Sequence, residues 1–62
     1  MCESNAYILK DGKHQLLMES VGLIRSDSGK VFLKSIFGET LSVDGRVVEM
    51  DLTGHKILLE NP

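Results

Sequence analysis

Turn signals divide this chain into short segments at fairly regular intervals, and this spacing constrains the fold more than any other feature. They occur at five places: Asp11-Gly12, Asp27-Ser28-Gly29, Gly38, Asp44-Gly45 and Thr53-Gly54. The apolar runs between them are too short for typical helices and suit strands joined by tight hairpins. The two Asp-Gly pairs are the strongest turns, because an Asp-Gly pair readily adopts the positive φ angles that two-residue hairpin loops require.

Alternating apolar and polar residues predict two half-buried antiparallel strands, over residues 39–43 and 46–52. Five further segments are predicted to be extended: 5–10, 14–19, 21–26, 30–36 and 55–60. Residues 15–21 could instead form one or two helical turns, although Gly22 directly after them favours a strand. The apolar positions of the best-patterned strands give a predicted core of Leu41, Val43, Val48, Met50, Leu52, Ile57 and Leu59.

Residues 1–62 are predicted to form a single small domain, and a chain this short buries only about 60% of the surface that it exposes when unfolded. Six or seven short antiparallel strands bury a face only by curling on themselves, so the predicted fold is all-β, a small barrel or compact sandwich. Some apolar side chains then fall on the outer face: Tyr7 or Ile8, Phe32 and Leu58. Because so small a core gives marginal stability, these side chains favour association into a homodimer.

The charge and the motif content exclude several classes of function. Seven Lys and Arg against nine Asp and Glu give a formal net charge of -2, unlike a nucleic-acid binder, whose affinity rests on an excess of cations. No apolar run of about 18 residues predicts a membrane span, and no secretion signal opens the chain, so the expected compartment is the cytoplasm. Phosphate-loop, Cys-x-x-Cys, His-Glu-x-x-His and nucleophile-elbow motifs are missing, so the chain is not predicted to be an enzyme.

The most distinctive chemistry belongs to Cys2, the only cysteine in the chain. Once an initiator methionine is removed, Cys2 carries a thiol and a free α-amine, which close a five-membered chelate ring around a metal ion. The amide between Cys2 and Glu3 can add another nitrogen donor, so Cys2 and Glu3 are the candidate metal residues. Nitrogen and thiolate donors in a plane suit Ni(II) or Cu(II), whereas zinc prefers a tetrahedron. One chain supplies two or three donors, and two chains meeting at their N-termini would supply four.

A plainer interpretation of each candidate residue stays open. An isolated cysteine near a chain end is often an ordinary free thiol, because metal motifs usually carry several ligands at fixed spacing. Glu3 and Asn5 could orient the site from outside the ligand set, or could be exposed polar residues before the first strand. His14 and His55 each neighbour a lysine beside a predicted turn and are interpreted as solvated residues.

A set of segments along the whole chain carries a family resemblance. They are the opening Met1-Cys2-Glu3-Ser4-Asn5-Ala6-Tyr7, the Lys10-Asp11-Gly12 turn, Ile36-Phe37-Gly38-Glu39, Asp44-Gly45-Arg46, and Asp51-Leu52 leading to His55-Lys56-Ile57. Together they resemble the CooT family of small nickel-binding proteins, linked to maturation of the nickel-dependent carbon monoxide dehydrogenase. The opening block is the most specific part. The resemblance implies an SH3-like small β-barrel, a homodimer, and Ni(II) bound through Cys2.

Two hypotheses about function follow from the sequence. The first is a cytoplasmic, dimeric carrier or buffer of Ni(II), with residues 1–4 as its metal-binding segment, that serves a nickel enzyme or its maturation proteins. The second is a small module for RNA or protein whose contacts lie on the barrel face: Phe32, Tyr7, Lys30, Lys34 and Arg25.

Overall fold

The computed structural model describes residues 4–62, and every regular element in this part of the chain is a β-strand. The strands are β1 (Ser4–Lys10), β2 (Lys13–Asp27), β3 (Lys30–Ser35), β4 (Thr40–Asp44), β5 (Arg46–Asp51) and β6 (Lys56–Glu60). The predicted all-β fold is confirmed. Among the described residues, no helix has the length and apolar character needed to cross a membrane.

All six strands belong to one sheet, in the order β4-β3-β2-β1-β6-β5. Neighbouring strands run antiparallel, as predicted, except that β1 and β6 are parallel, with Ala6 opposite Ile57. β4 and β5 are the two edges of the sheet, yet Gly45 alone separates them in the chain. The sheet therefore curls until its edges approach each other at this corner, although its ladder of hydrogen bonds over residues 4–62 does not close into a barrel.

One long strand, β2, replaces the two strands that were predicted over residues 14–19 and 21–26. Its first part pairs with β1 and its second part with β3, so it joins the two parts of the curled sheet. The bend between these parts lies at Ser20, whose φ is 55°, and the register of the β2–β3 pairing shifts just after it. The alternative of helical turns over residues 15–21 is wrong, because this segment pairs with β1.

The core lies on the inner face of the curled sheet and comes mainly from its central strands. The buried apolar residues are Ala6, Ile8, Met18, Val21, Val31, Leu33, Ile57 and Leu59. Of the predicted core, Ile57 and Leu59 are buried, and Leu41 and Val43 are partly buried against this cluster. The prediction thus succeeds for β6 and in part for β4.

The predicted core is wrong for Val48, Met50 and Leu52, which are 53%, 51% and 69% exposed. Met50 lies opposite buried Ile57 on this edge strand, and Leu52 follows the end of β5, so register does not account for their exposure. Pairing with β6 does explain the error at Val48: Val47 lies opposite Leu59, but Val48 has no partner in the ladder and the register shifts by one residue there. The extra residue of such a β-bulge interrupts the alternation of faces along a strand. Consequently Val47 packs against the core, and β5 carries exposed apolar side chains at an edge of the sheet.

Two tight hairpins connect β1 with β2 and β2 with β3, and both residues of each turn have positive φ. The angles are 53° and 77° at Asp11 and Gly12, and 49° and 79° at Ser28 and Gly29. This confirms the turns predicted at both places. The predicted Asp44-Gly45 hairpin is wrong, because β4 and β5 do not pair. Gly45 instead donates its N–H to the carbonyl of Gly29 at 2.8 Å.

Candidate functional site

The residues predicted to bind metal, Cys2 and Glu3, lie outside the described part of the chain. The structure describes the place to which they are joined, the start of β1 at Ser4. The start of β1 is the described part of the chain that is nearest to Cys2 in sequence.

Asn5 ties the start of β1 to two other parts of the chain. Its backbone N–H donates to the carbonyl of His55 at 2.9 Å, and its Oδ1 accepts a hydrogen bond from the backbone N–H of Ser20 at 3.2 Å. The second bond satisfies a donor at the β2 bend, where the positive φ of Ser20 takes the backbone out of the regular ladder. A residue interpreted as flanking the metal site thus holds the β2 bend and the residue before β6 against β1.

A third segment reaches the same end of the sheet, because the carbonyl of Ser20 accepts a hydrogen bond from the N–H of Ile36 at 2.9 Å. Buried Ser35 shapes the loop after β3: its Oγ accepts hydrogen bonds from the N–H groups of Phe37 and Glu39, both at 3.1 Å. This loop leaves the side chains of Ile36 and Phe37 42% and 76% exposed. We define the N-terminal rim as Asn5, Ser20, Ile36, Phe37 and His55.

The two histidines lie towards opposite ends of β1. His55 is exposed, has a φ of 58° and directly precedes β6. His14 is also exposed and lies opposite Leu9, far from the start of β1. The exposure of both agrees with their interpretation as solvated residues, but His55 additionally offers an imidazole at the N-terminal rim. Within residues 4–62, no group of three or more His, Cys, Asp or Glu side chains is placed to hold a metal ion.

The turn that carries His55 is built on the carboxylate of Asp51. Its Oδ1 accepts hydrogen bonds from the backbone N–H of Gly54 at 2.8 Å and from the hydroxyl of Thr53 at 2.9 Å. These two bonds, with the one from Gly54 the stronger cause, lower the pKa of Asp51 below its usual 3.8 because they favour the charged form. The carboxylate is therefore ionised at neutral pH, where it closes the turn.

Acid is expected to open this turn. Because folding lowers the pKa of Asp51, its hydrogen bonds contribute fully to stability above pH 3.8 and lose that contribution as the pH falls through the lower folded value. The NMR shift of the Gly54 amide proton should titrate with a midpoint below 3.8. Asp51→Asn keeps an acceptor oxygen and removes the titration, so its Gly54 signal should not change. A titration that persists in this variant would contradict the assignment.

The structure divides the residues of the alternative binding face between two places. Arg25, Phe32 and Lys34 lie together on the outer face of β2 and β3, with Arg25 opposite Phe32. Lys30 is on the same face, two residues before Phe32. Tyr7 belongs to β1, on the far side of β2. The aromatic side chains proposed to stack on a common ligand therefore do not share one surface.

These features define the class: a small all-β protein built on one strongly curled sheet. A sequence model of the family described as CO dehydrogenase accessory protein CooT matches residues 1–60. The chain therefore belongs to the CooT family of CO dehydrogenase accessory proteins, which confirms the resemblance seen in the sequence. The matched range contains both Cys2 and Glu3.

Individual proteins of known sequence or structure are also similar to this chain. One is a protein of Carboxydothermus hydrogenoformans, described as a candidate CooT, whose crystal structure matches with a TM-score of 0.89 at 30% identity, covering 98% of each chain. Another is a protein of Archaeoglobus fulgidus, described only as uncharacterized, which is 54% identical over 43 residues, 69% of this chain and 96% of that protein. The first similarity extends over almost the whole fold described above.

Proposed function

We propose that this protein binds Ni(II) through Cys2 and acts as a nickel carrier or buffer in the maturation of a nickel enzyme. The observation that carries the proposal is membership of the CooT family over residues 1–60, a range that contains Cys2 and Glu3. Carbon monoxide dehydrogenase is the recipient that the family description indicates. In this role the protein is an accessory and not a catalyst, and its partners are the recipient enzyme or its maturation proteins.

The chemistry of Cys2 supports nickel as the cargo. After removal of Met1, the thiolate and α-amine of Cys2 form a chelate, and the deprotonated amide of Glu3 adds a nitrogen donor. Ni(II) accepts such mixed nitrogen and sulfur donors, and the cytoplasm, where we expect the protein to act, keeps a thiol reduced. Cu(II) binds the same donors more tightly, so nickel loading depends on the availability of each metal or on partner proteins.

The N-terminal rim supports a site shared by two chains. Ile36 and Phe37 expose apolar surface at the end of the sheet where β1 begins. Two chains meeting there would cover this surface and bring their Cys2 residues together, supplying two amines and two thiolates to one ion. A chain with so small a core also gains stability from such an association. The proposed assembly is therefore a homodimer with one Ni(II) per two chains.

The hydrogen bonds of Asn5 fix the start of β1, the strand to which the proposed metal-binding segment is joined. They hold the backbone three residues after Cys2, to His55 on one side and to Ser20 on the other. A fixed starting point reduces the conformational entropy that the ligands lose on binding. The exposed imidazole of His55 is an additional nitrogen donor that could contact the ion while it enters or leaves.

Nickel titration of the purified protein tests the proposal. Intact mass should show the loss of one methionine, and a thiolate-to-nickel charge-transfer band should then grow until one Ni(II) is bound per two chains. Light scattering after size-exclusion chromatography should give the mass of a dimer. Protein with a processed N-terminus that develops no such band would refute nickel binding, and a monomer that binds one ion by itself would refute the shared site.

A further inference from the structure

The outer face of β2, β3 and β4 carries a groove of about 540 Å³ that the nickel proposal does not use. Two rows of facing side chains, each running across β2, β3 and β4, line it. One row consists of Arg25, Phe32 and Ser42, and the next consists of Leu23, Lys34 and Thr40. Facing side chains in such rows have their Cβ atoms about 4.5–5.5 Å apart, so each row forms a continuous strip. Cationic and apolar side chains therefore alternate both across and along β2 and β3.

The apolar part of this groove consists of Phe32 and Leu23, which are 40% and 48% exposed. They occupy neighbouring rows on adjacent strands, a diagonal relationship that places the two side chains within reach of each other. Together they form a small apolar surface on which one further side chain could pack. Polar side chains of β4 border it on the side towards the sheet edge.

The cations of the groove, Arg25 and Lys34, make no ion pair within residues 4–62. Lys30, just outside the groove on the same face, differs from them. It lies opposite Asp27 and Asp44, and its Nζ is 3.6 Å from Oδ1 of Asp44. In a chain whose formal net charge is -2, this face thus leaves two neighbouring cations available to an anionic group.

We infer that this groove binds an extended, acidic segment of a partner protein. A carboxylate of the segment lies against Arg25 or Lys34, and an apolar side chain packs on Phe32 or Leu23. In an extended chain, side chains two residues apart point the same way about 6.8 Å apart, close to the spacing between successive rows of this face. The matching sequence therefore has an acidic and an apolar residue two positions apart.

The same observations favour a peptide over a nucleic acid. Affinity for a phosphate backbone rises with the number of phosphates neutralised, and the groove provides two cations, Arg25 and Lys34, that make no ion pair with any residue from 4 to 62. Single-stranded nucleic acid also requires successive stacking platforms. Phe32 is the aromatic residue among those that line the groove, whereas Tyr7 belongs to β1, beyond β2. A paired apolar and cationic surface is better matched by a segment with both leucine-like and acidic side chains.

Peptide titration followed by amide NMR tests this inference on the whole chain. The probe is an acetylated octapeptide with glutamate and leucine alternating at every second position and serine between them. We expect binding with a Kd on the order of 1 mM, as suits so small a contact, with shift changes concentrated in the groove strands β2, β3 and β4. A matched peptide with glutamine in place of glutamate should bind about tenfold more weakly, because it lacks the charges.

Charge reversal provides the matched protein variants. Arg25→Glu with Lys34→Glu should weaken binding of the acidic peptide about tenfold or more, whereas Lys10→Glu with Lys13→Glu, on the β1–β2 hairpin, should change it less than about twofold. If the first double variant is unfolded by NMR, Lys34→Gln replaces it, with an expected weakening of about threefold.

Three outcomes would overturn the inference. They are shift changes that are absent or lie outside the groove, equal binding of the glutamine peptide, and tighter binding of an oligothymidylate, which would assign the surface to nucleic acid. None of these measurements involves Cys2 or nickel, so a negative result would refute this inference without bearing on the proposed function.

Discussion

A Cys2→Ser variant is expected to lose nickel binding, with an affinity at least about 100-fold below that of the unaltered protein. Serine preserves the size of the side chain and the free α-amine, but its hydroxyl does not ionise near neutral pH to give a soft anionic donor. If two chains share one ion, each substitution removes one of two thiolates, so the dimer loses both. The measurement is calorimetric nickel titration, together with loss of the thiolate-to-nickel charge-transfer band.

His14→Ala is the matched control for this loss. It removes a potential metal ligand, but from a position opposite Leu9, far from the start of β1, so nickel affinity should remain within about twofold of the unaltered value. Serine is close to cysteine in size, so thermal unfolding of metal-free Cys2→Ser should match that of the metal-free parent. Nickel binding by Cys2→Ser that equals the parent would show that the thiolate is not a ligand.

The parts of the fold that could be predicted are those that local sequence decides. Asp11-Gly12 forms a two-residue hairpin because its neighbours pair directly, Lys10 with Lys13. Ile57 and Leu59 alternate with outward residues along β6 and both are buried. In these cases the preferences of neighbouring residues and the final packing agree, so a pattern of a few residues was sufficient.

The errors arise where long-range pairing overrides a local pattern. Asp44-Gly45 has the same two residues as the β1–β2 turn, but the strands on either side of it belong to opposite edges of the sheet. The alternation in β5 is regular in the sequence, but the bulge at Val48, which comes from pairing with β6, changes which residues face the core. Neither the sheet order nor the position of a bulge can be read from a short window of sequence.

The candidate sites also differ in whether local sequence predicts them or the folded chain is needed to form them. Cys2 and Glu3 were predicted from chemistry and resemblance, since a single residue next to a chain terminus needs no fold to form a chelate. The N-terminal rim was not predicted, because Asn5, Ser20 and His55 are far apart in sequence and are joined by hydrogen bonds of the folded chain. In the groove, Arg25, Phe32 and Lys34 were anticipated, whereas Leu23 was missed because its position opposite Lys34 depends on the register shift in β2.

Gly45→Ala is expected to destabilise the protein by about 3 kcal/mol, a large part of the roughly 3–9 kcal/mol available to a chain of this length. Two features of the corner combine. Gly45 has a φ of 145°, which an L side chain rarely adopts, and a Cβ there would lie well inside contact distance of the backbone carbonyl oxygen of Glu60. That oxygen belongs to β6 and has little freedom to move. The midpoint of thermal unfolding should fall by about 15 °C.

Gly29→Ala separates the effect of backbone conformation from that of crowding. Gly29 has a φ of 79°, but a Cβ there would meet no atom within 4 Å, so this variant should cost only about 1 kcal/mol. Both variants should be compared in the presence of a chelator, because a metal bound to the folded state would add stability of its own. Equal losses in the two variants would mean that backbone conformation alone accounts for the cost at Gly45. A larger loss in Gly45→Ala would support crowding against the Glu60 carbonyl, together with the unusual backbone angle, as the reason why glycine is needed there.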